Sequence, residues 1–121
     1  MDINFVLSQT DTRPMYLQIM EQVSQRVALG DWPGGTKMPS IREMAVALKV
    51  SVITVKRAYL ELERDGVIVT RQGKGSWVNE ELDVTALQRQ ELEDHLERAV
   101  QLAKTVSMDE VELIALLRRF F

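Results

Sequence analysis

Two serines eleven residues apart, Ser40 and Ser51, constrain this chain more than any other feature. Ser40-Ile-Arg-Glu43 is a capping box, in which a serine hydroxyl and a glutamate satisfy each other's exposed backbone N–H groups. It opens a helix with Met44, Ala45 and Leu48 on its buried face. After the short link Lys49-Val50, Ser51 caps another helix, with Val55, Ala58, Tyr59 and Leu62 as its apolar stripe and Asp65-Gly66 as its end. Two short helices joined by so few residues make a helix-turn-helix.

The flanking segments complete the unit. Ile3, Phe5 and Leu7 alternate with Asn4 and Val6, which predicts a short strand. Arg13-Pro14 starts a helix striped by Tyr16, Ile19, Met20, Val23 and Val27 and closed by Gly30. Trp32-Pro33-Gly34-Gly35 predicts a turn with proline at its second position. Val67–Arg71 and Ser76–Val78 read as strands around the turn Gln72-Gly73-Lys74-Gly75. The expected fold is mainly α with a small β-hairpin, a winged helix-turn-helix over residues 1–79.

From residue 80 onward the pattern changes. Glu80, Glu81 and Asp83 predict a solvated linker, the expected hinge. Leu92, Leu96, Ala99, Val100 and Ala103 then recur at helical spacing. Ser107-Met-Asp-Glu110 reads as another capping box, before Val111, Ile114, Leu117 and Phe121, with Leu113, Leu116 and Phe120 broadening the apolar surface. Two helices of ~40 residues in all are too few for a core of their own. Residues 80–121 are therefore expected to be a two-helix dimerisation region, packed together and against a second copy of the chain.

Composition narrows the function. The 121 residues contain no cysteine and one histidine. Disulfides and thiolate metal sites are excluded, and multi-histidine metal centres with them, so neither a metal nor another cofactor is expected. Enzymatic chemistry is disfavoured. No run approaches the ~20 apolar residues of a membrane span, and no leader is read at the N-terminus, so a cytoplasmic location is expected. The net charge of −3 is unevenly spread. Residues 1–79 hold ten basic and eight acidic side chains, whereas residues 80–121 hold five and ten. A locally basic surface steers a polyanion more than the whole-chain balance does.

Several features have plainer readings. Gly73-Lys74-Gly75 lacks the spacing of a nucleotide phosphate loop and is followed by a strand, so it reads as a hairpin tip. Tyr16, Tyr59 and Trp77 read as core, and Trp32 as a lid over the first helix. His95 reads as a surface residue, and Phe120-Phe121 as dimer packing rather than a membrane tether. The carboxylates at 61, 63, 91, 93 and 97 read as solvated helix faces.

The ordered series Pro14–Ile19, Gly30, Pro33-Gly34, Met38-Pro-Ser-Ile-Arg-Glu-Met-Ala45, Val50-Ser51, Thr54-Val55, Ala58-Tyr59, Leu62-Glu63, Gly66–Ile68 and Gly73-Lys-Gly75 resembles the DNA-binding domain of GntR-family bacterial transcription regulators. The short C-terminal region resembles the YtrA subfamily, whose members carry a two-helix dimerisation appendage. The resemblance implies a sequence-specific DNA-binding regulator, with repression the expected output, acting as a homodimer on an inverted repeat of double-stranded DNA. It also implies that the helix after Ser51 enters the major groove and the hairpin approaches the minor groove. Carried over by residue, Arg42, Thr54 and Lys56 match contact positions of the helices, and Gly73 and Lys74 match the wing tip. Ser40 and Ser51 join them as caps whose helix N–H groups can face phosphate, and Arg57 as a neighbouring cation. Where many relatives carry a base-reading arginine, this chain has Val52, followed by Ile53. Neither side chain can fork onto a guanine, and a thymine methyl becomes the natural partner. A small-molecule effector would sit between the appendage helices or at the dimer seam. The alternative reading is a winged-helix adaptor that binds protein without specific DNA recognition.

Overall fold

The computed structural model describes residues 3–121; Met1 and Asp2, counted in the charge balance above, lie outside them. The elements run α1 (Met15–Ala28), α2 (Ile41–Leu48), α3 (Val52–Arg64), β1 (Ile68–Arg71), β2 (Gly75–Val78), α4 (Val84–Thr105) and α5 (Glu110–Arg118). They divide into two compact units, Met1–Leu87 and Gln88–Phe121.

The first unit is the winged helix-turn-helix. Ile19, Val23, Met44, Val55, Ala58, Leu62, Ile68 and Val78 form the centre of its core. Each large side chain buried here contributes about 1.5–3 kcal/mol. The stripe expected for α3 is the one buried: Val55, Ala58, Tyr59 and Leu62. Between α2 and α3, Lys49 takes the left-handed conformation (φ 57°), and the Val50 N–H reaches back to the Ala45 carbonyl at 3.1 Å. This closure turns the chain within two residues of the end of α2, which fixes the angle between the two helices. Gly66 (φ 77°) closes α3 in the same way and aims the chain into β1.

β1 and β2 pair antiparallel with Ile68 opposite Val78 and Arg71 opposite Gly75. The free edge of β2 is covered by residues 35–38. Gly35 donates to Val78 O, Val78 to Thr36 O and Met38 to Ser76 O, all at 2.8 Å. The glycine-rich approach reads as a turn in sequence, which gives no sign of this third edge. The turn itself lies one residue later than expected: Thr36 N–H bonds to Pro33 O at 3.0 Å, which makes proline its first residue and puts Gly35 (φ 86°) at its third.

A further expectation is corrected within this unit. Residues 3–7 form no strand. Their alternation does turn Ile3, Phe5 and Leu7 toward the core, but the backbone pairs with glutamine side chains of α1. Val6 N–H donates to Gln22 Oε1 at 2.9 Å, and Ser8 N–H to Gln18 Oε1 at 2.8 Å while Gln18 Nε2 returns to Ser8 O at 3.0 Å. A primary amide carries the same donor and acceptor as a peptide, so two glutamines one helical turn apart replace a neighbouring strand. In the linker expected from Asn79 to Asp83, Glu80, Glu81 and Asp83 are exposed. Asn79 donates from its backbone to Val67 O (3.0 Å) and from Nδ2 to Gly66 O (2.9 Å), and Leu82, Val84 and Leu87 pack against the winged core.

The second unit comprises the rest of α4 and α5. Its expected Ser107 capping box does not form. Ser107 lies at φ 56° and ends α4, with Met108 N–H reaching Ala103 O at 2.9 Å. Asp109 caps α5 instead, its carboxylate accepting from Glu112 N–H at 2.9 Å. Within this unit Ala103 alone is buried, while Leu92, Leu96, Val100, Ile114, Leu117, Phe120 and Phe121 are exposed. No helix among the described residues is long and apolar enough to cross a membrane.

Candidate nucleic-acid interface

The surface of interest is built on α2, α3 and the hairpin. Ser40 and Glu43 form the expected box: Glu43 N–H donates to Ser40 Oγ at 3.0 Å, and Ser40 N–H to Glu43 Oε1 at 3.1 Å. The Ser40 backbone N–H, and after it the Ser40 hydroxyl, hold the Glu43 carboxyl below the usual glutamate range, with the nearby Lys37 adding to the effect. Glu43 is thus engaged by its own helix end. Between Thr36 and Arg57 it is the only acidic residue, against Lys37, Arg42, Lys49, Lys56 and Arg57.

The outward face of α3 carries Val52, Ile53, Lys56 and Arg57, all exposed. Ser51 caps the helix through Thr54 N–H at 3.1 Å, and the two hydroxyls lie 2.8 Å apart. Thr54 is therefore half-buried, its hydroxyl committed to the cap. Arg42 on α2, Lys49 in the link and Lys56 on α3 are exposed, and among the described residues no ion pair engages them. Arg57 differs: its guanidinium lies 3.9 Å from the centroid of the Tyr16 ring on α1.

The relation between α2 and α3 is locked from inside. The buried Tyr59 hydroxyl donates to Pro39 O at 2.6 Å, tying α3 to the residue before the α2 cap. Burial, with the Glu43 charge as a lesser cause, pushes this phenol up, so it remains a donor throughout the working range of the fold. Gly73 (φ 76°) and Lys74 stand at the hairpin tip, where Lys74 N–H bonds to Arg71 O at 2.9 Å and the lysine side chain is exposed.

Trp77 is not core. Val78 and Ser76 alternate with it and take the buried face, so Trp77 lies half-exposed on the other. Lys37 Nζ and Arg71 Cζ stand 5.7 and 5.6 Å from its ring centroids. Sequence motifs single out neither cation; the period of two along Ser76-Trp77-Val78 is the signal that points to this face. Trp32, by contrast, is buried beneath Phe5, with ring centroids 5.6 Å apart. His95 is exposed and bonds through Nδ1 to Glu91 O at 2.8 Å.

Residues 15–78 match the family described as bacterial regulatory proteins, gntR family. The chain is similar to YhcF, an uncharacterised HTH-type transcriptional regulator of Bacillus subtilis. The identity is 37% over 102 residues, 84% of this chain and 81% of YhcF. It is also similar to the HTH-type transcriptional repressor YtrA of the same organism, 37% over 75 residues, which spans 62% of this chain and 58% of YtrA. Among solved structures, a GntR family transcriptional regulator from Listeria monocytogenes aligns with a TM-score of 0.74 and 27% identity, covering 90% of this chain and 96% of that one. The DNA-binding domain of AraR in complex with operator ORX1 aligns with a TM-score of 0.53 and 28% identity, covering 60% and 86%. With the matched segment spanning more than half of the residues, the chain belongs to the gntR family of bacterial regulatory proteins, as a winged-helix regulator of transcription.

Proposed function

We propose that the chain represses transcription as a homodimer, by occupying an inverted-repeat operator with two α3 helices about 34 Å apart. The observation that carries this reading is the exposed set of Arg42 in the first turn of α2, Lys49 in the link and Lys56 on α3, which no ion pair among the described residues engages. Cations left without internal partners on one face are the electrostatic footprint of a phosphate backbone. Ser40 and Ser51 place helix N–H groups at the same face, Thr54 and Arg57 border it, and Gly73 and Lys74 supply a wing tip for the minor groove. AraR, which shares the fold, is seen on its operator, and YtrA of Bacillus subtilis carries the name of a repressor.

Dimerisation is assigned to the second unit. Leu92, Leu96 and Val100 fall one helical turn apart along α4, and Ile114 and Leu117 are exposed on α5. A second copy related by a two-fold axis would bury them, and it matches the symmetry of an inverted repeat. Selection of bound duplexes from genomic fragments, followed by sedimentation of the complex, tests both halves. The expected result is a palindromic site carrying two chains. A chain that ignores every duplex at low salt refutes the reading in favour of the adaptor.

A further inference from the structure

The geometry points to a second DNA-phosphate site on the wing, formed by Lys37 and Arg71 over the face of Trp77, distinct from the tip at Gly73 and Lys74. This inference rests on the DNA-binding reading above and extends it to residues outside the helix-turn-helix.

Three observations support a built site. First, register: Lys37 pairs with Trp77 across the edge of β2, and Arg71 lies opposite Gly75, so two segments bring their cations to one half-exposed aromatic. Both cationic groups lie within 6 Å of its rings, the range of cation–π attraction. An aromatic so flanked holds two long side chains that would otherwise sample many rotamers, leaving less ordering to be done when a ligand arrives. Second, space: a Cβ at Gly75 would stand 3.3 Å from Lys37 Cε, so glycine at this position seats the lysine stem. Third, placement: Lys37 stands three residues before the Ser40 cap of α2, and Arg71 accepts from Lys74 N–H in the hairpin turn, so the pair lies on the segments that flank the helix-turn-helix and the hairpin tip. Arg42, Lys37, Arg71 and Lys74 thus belong to the start of α2, the edge beside β2, the end of β1 and the hairpin turn. Among the described residues no ion pair consumes any of them. The ligand chemistry is a run of backbone phosphates, read for position and not for sequence.

The experiment uses the full chain and a duplex recovered by selection, with affinity measured across a range of salt. Each phosphate neutralised contributes about −0.9 to the slope of log K against log salt. The pair Lys37→Gln with Arg71→Gln should flatten that slope by about 1–2 per chain, about 2–4 for a bound dimer, and weaken binding at low salt about ten-fold or more, while the preference for the selected duplex over a scrambled one stays unchanged. The pair Lys37→Arg with Arg71→Lys keeps both charges and should restore the wild-type slope. An unaltered slope in the glutamine pair, with wild-type binding steep, overturns this site alone. A wild-type chain without salt-dependent binding overturns the underlying DNA reading as well.

Discussion

The Arg57 guanidinium carbon sits 3.9 Å from the Tyr16 ring centroid, and the same group donates to the phenolic oxygen at 3.3 Å. This contact joins α3 to α1 beside the proposed DNA-binding surface. Arg57→Ala should cost about 0.5–1 kcal/mol by urea unfolding, the range for an exposed cation–π pair. Tyr16→Phe should lose less, because the ring face remains. Equal losses in the two variants would assign the stabilisation to the hydroxyl instead.

A larger effect is expected at Tyr59. Its hydroxyl is the internal tie between α3 and Pro39. Tyr59→Phe leaves a buried carbonyl without this partner and should destabilise the fold by about 1–3 kcal/mol in thermal or chemical unfolding. Because the tie sets the position of α2, operator affinity should fall too, even under conditions where the variant is fully folded.

The Ser40–Glu43 box makes the start of α2 sensitive to acid. A carboxyl depressed by native hydrogen bonds stabilises the fold above its unfolded value, about 4.3 for glutamate, and that stabilisation disappears as pH falls through the lower native value. The protection factor of the Ser40 amide, which donates to that carboxylate, should therefore fall below about pH 4. Ser40→Ala should cost about 1 kcal/mol. It should also raise the Glu43 midpoint only partway in an NMR titration, since the backbone N–H of residue 40 survives the change.

Val52 and Ile53 open α3 with 45% and 80% of their surface exposed. On a major-groove helix such side chains suit thymine methyls. Replacing thymine by uracil across the selected site removes only those methyls. Each methyl so removed should weaken binding about four-fold, from about 0.8 kcal/mol per buried methyl-sized group. Ile53→Ala should bind both duplexes with similar affinity. A wild-type chain indifferent to uracil would shift base reading to Arg42 and Lys56.

In the second unit, Leu96→Asp or Ile114→Asp should turn a dimer into a monomer by sedimentation, with the helices retained by circular dichroism. Removing residues 88–121 leaves Leu82, Val84 and Leu87 on the winged core and should yield a folded monomer that binds its operator weakly. A truncated chain that still dimerises would place the interface in the first unit.

Local rules sufficed for the winged core. Apolar spacing in α1 and α3, the Ser40 and Ser51 caps, and the glycines at 30, 66 and 73 are each set by interactions within a few residues, so they can be read along the chain. The features that sequence misplaces mostly depend on a partner distant along the chain. The alternation of residues 3–7 shows which side chains turn inward, but cannot show that Gln18 and Gln22, not a strand, would meet the backbone. The Ser107 box fails because ending α4 requires a left-handed residue there before any cap can form. Trp77, Lys37 and Arg71 are separated along the chain and meet only because hairpin pairing and the edge at residues 35–38 stack three segments in register. Short-range hydrogen bonds and periodicity are properties of a segment, whereas the choice between one backbone partner and another is made by packing.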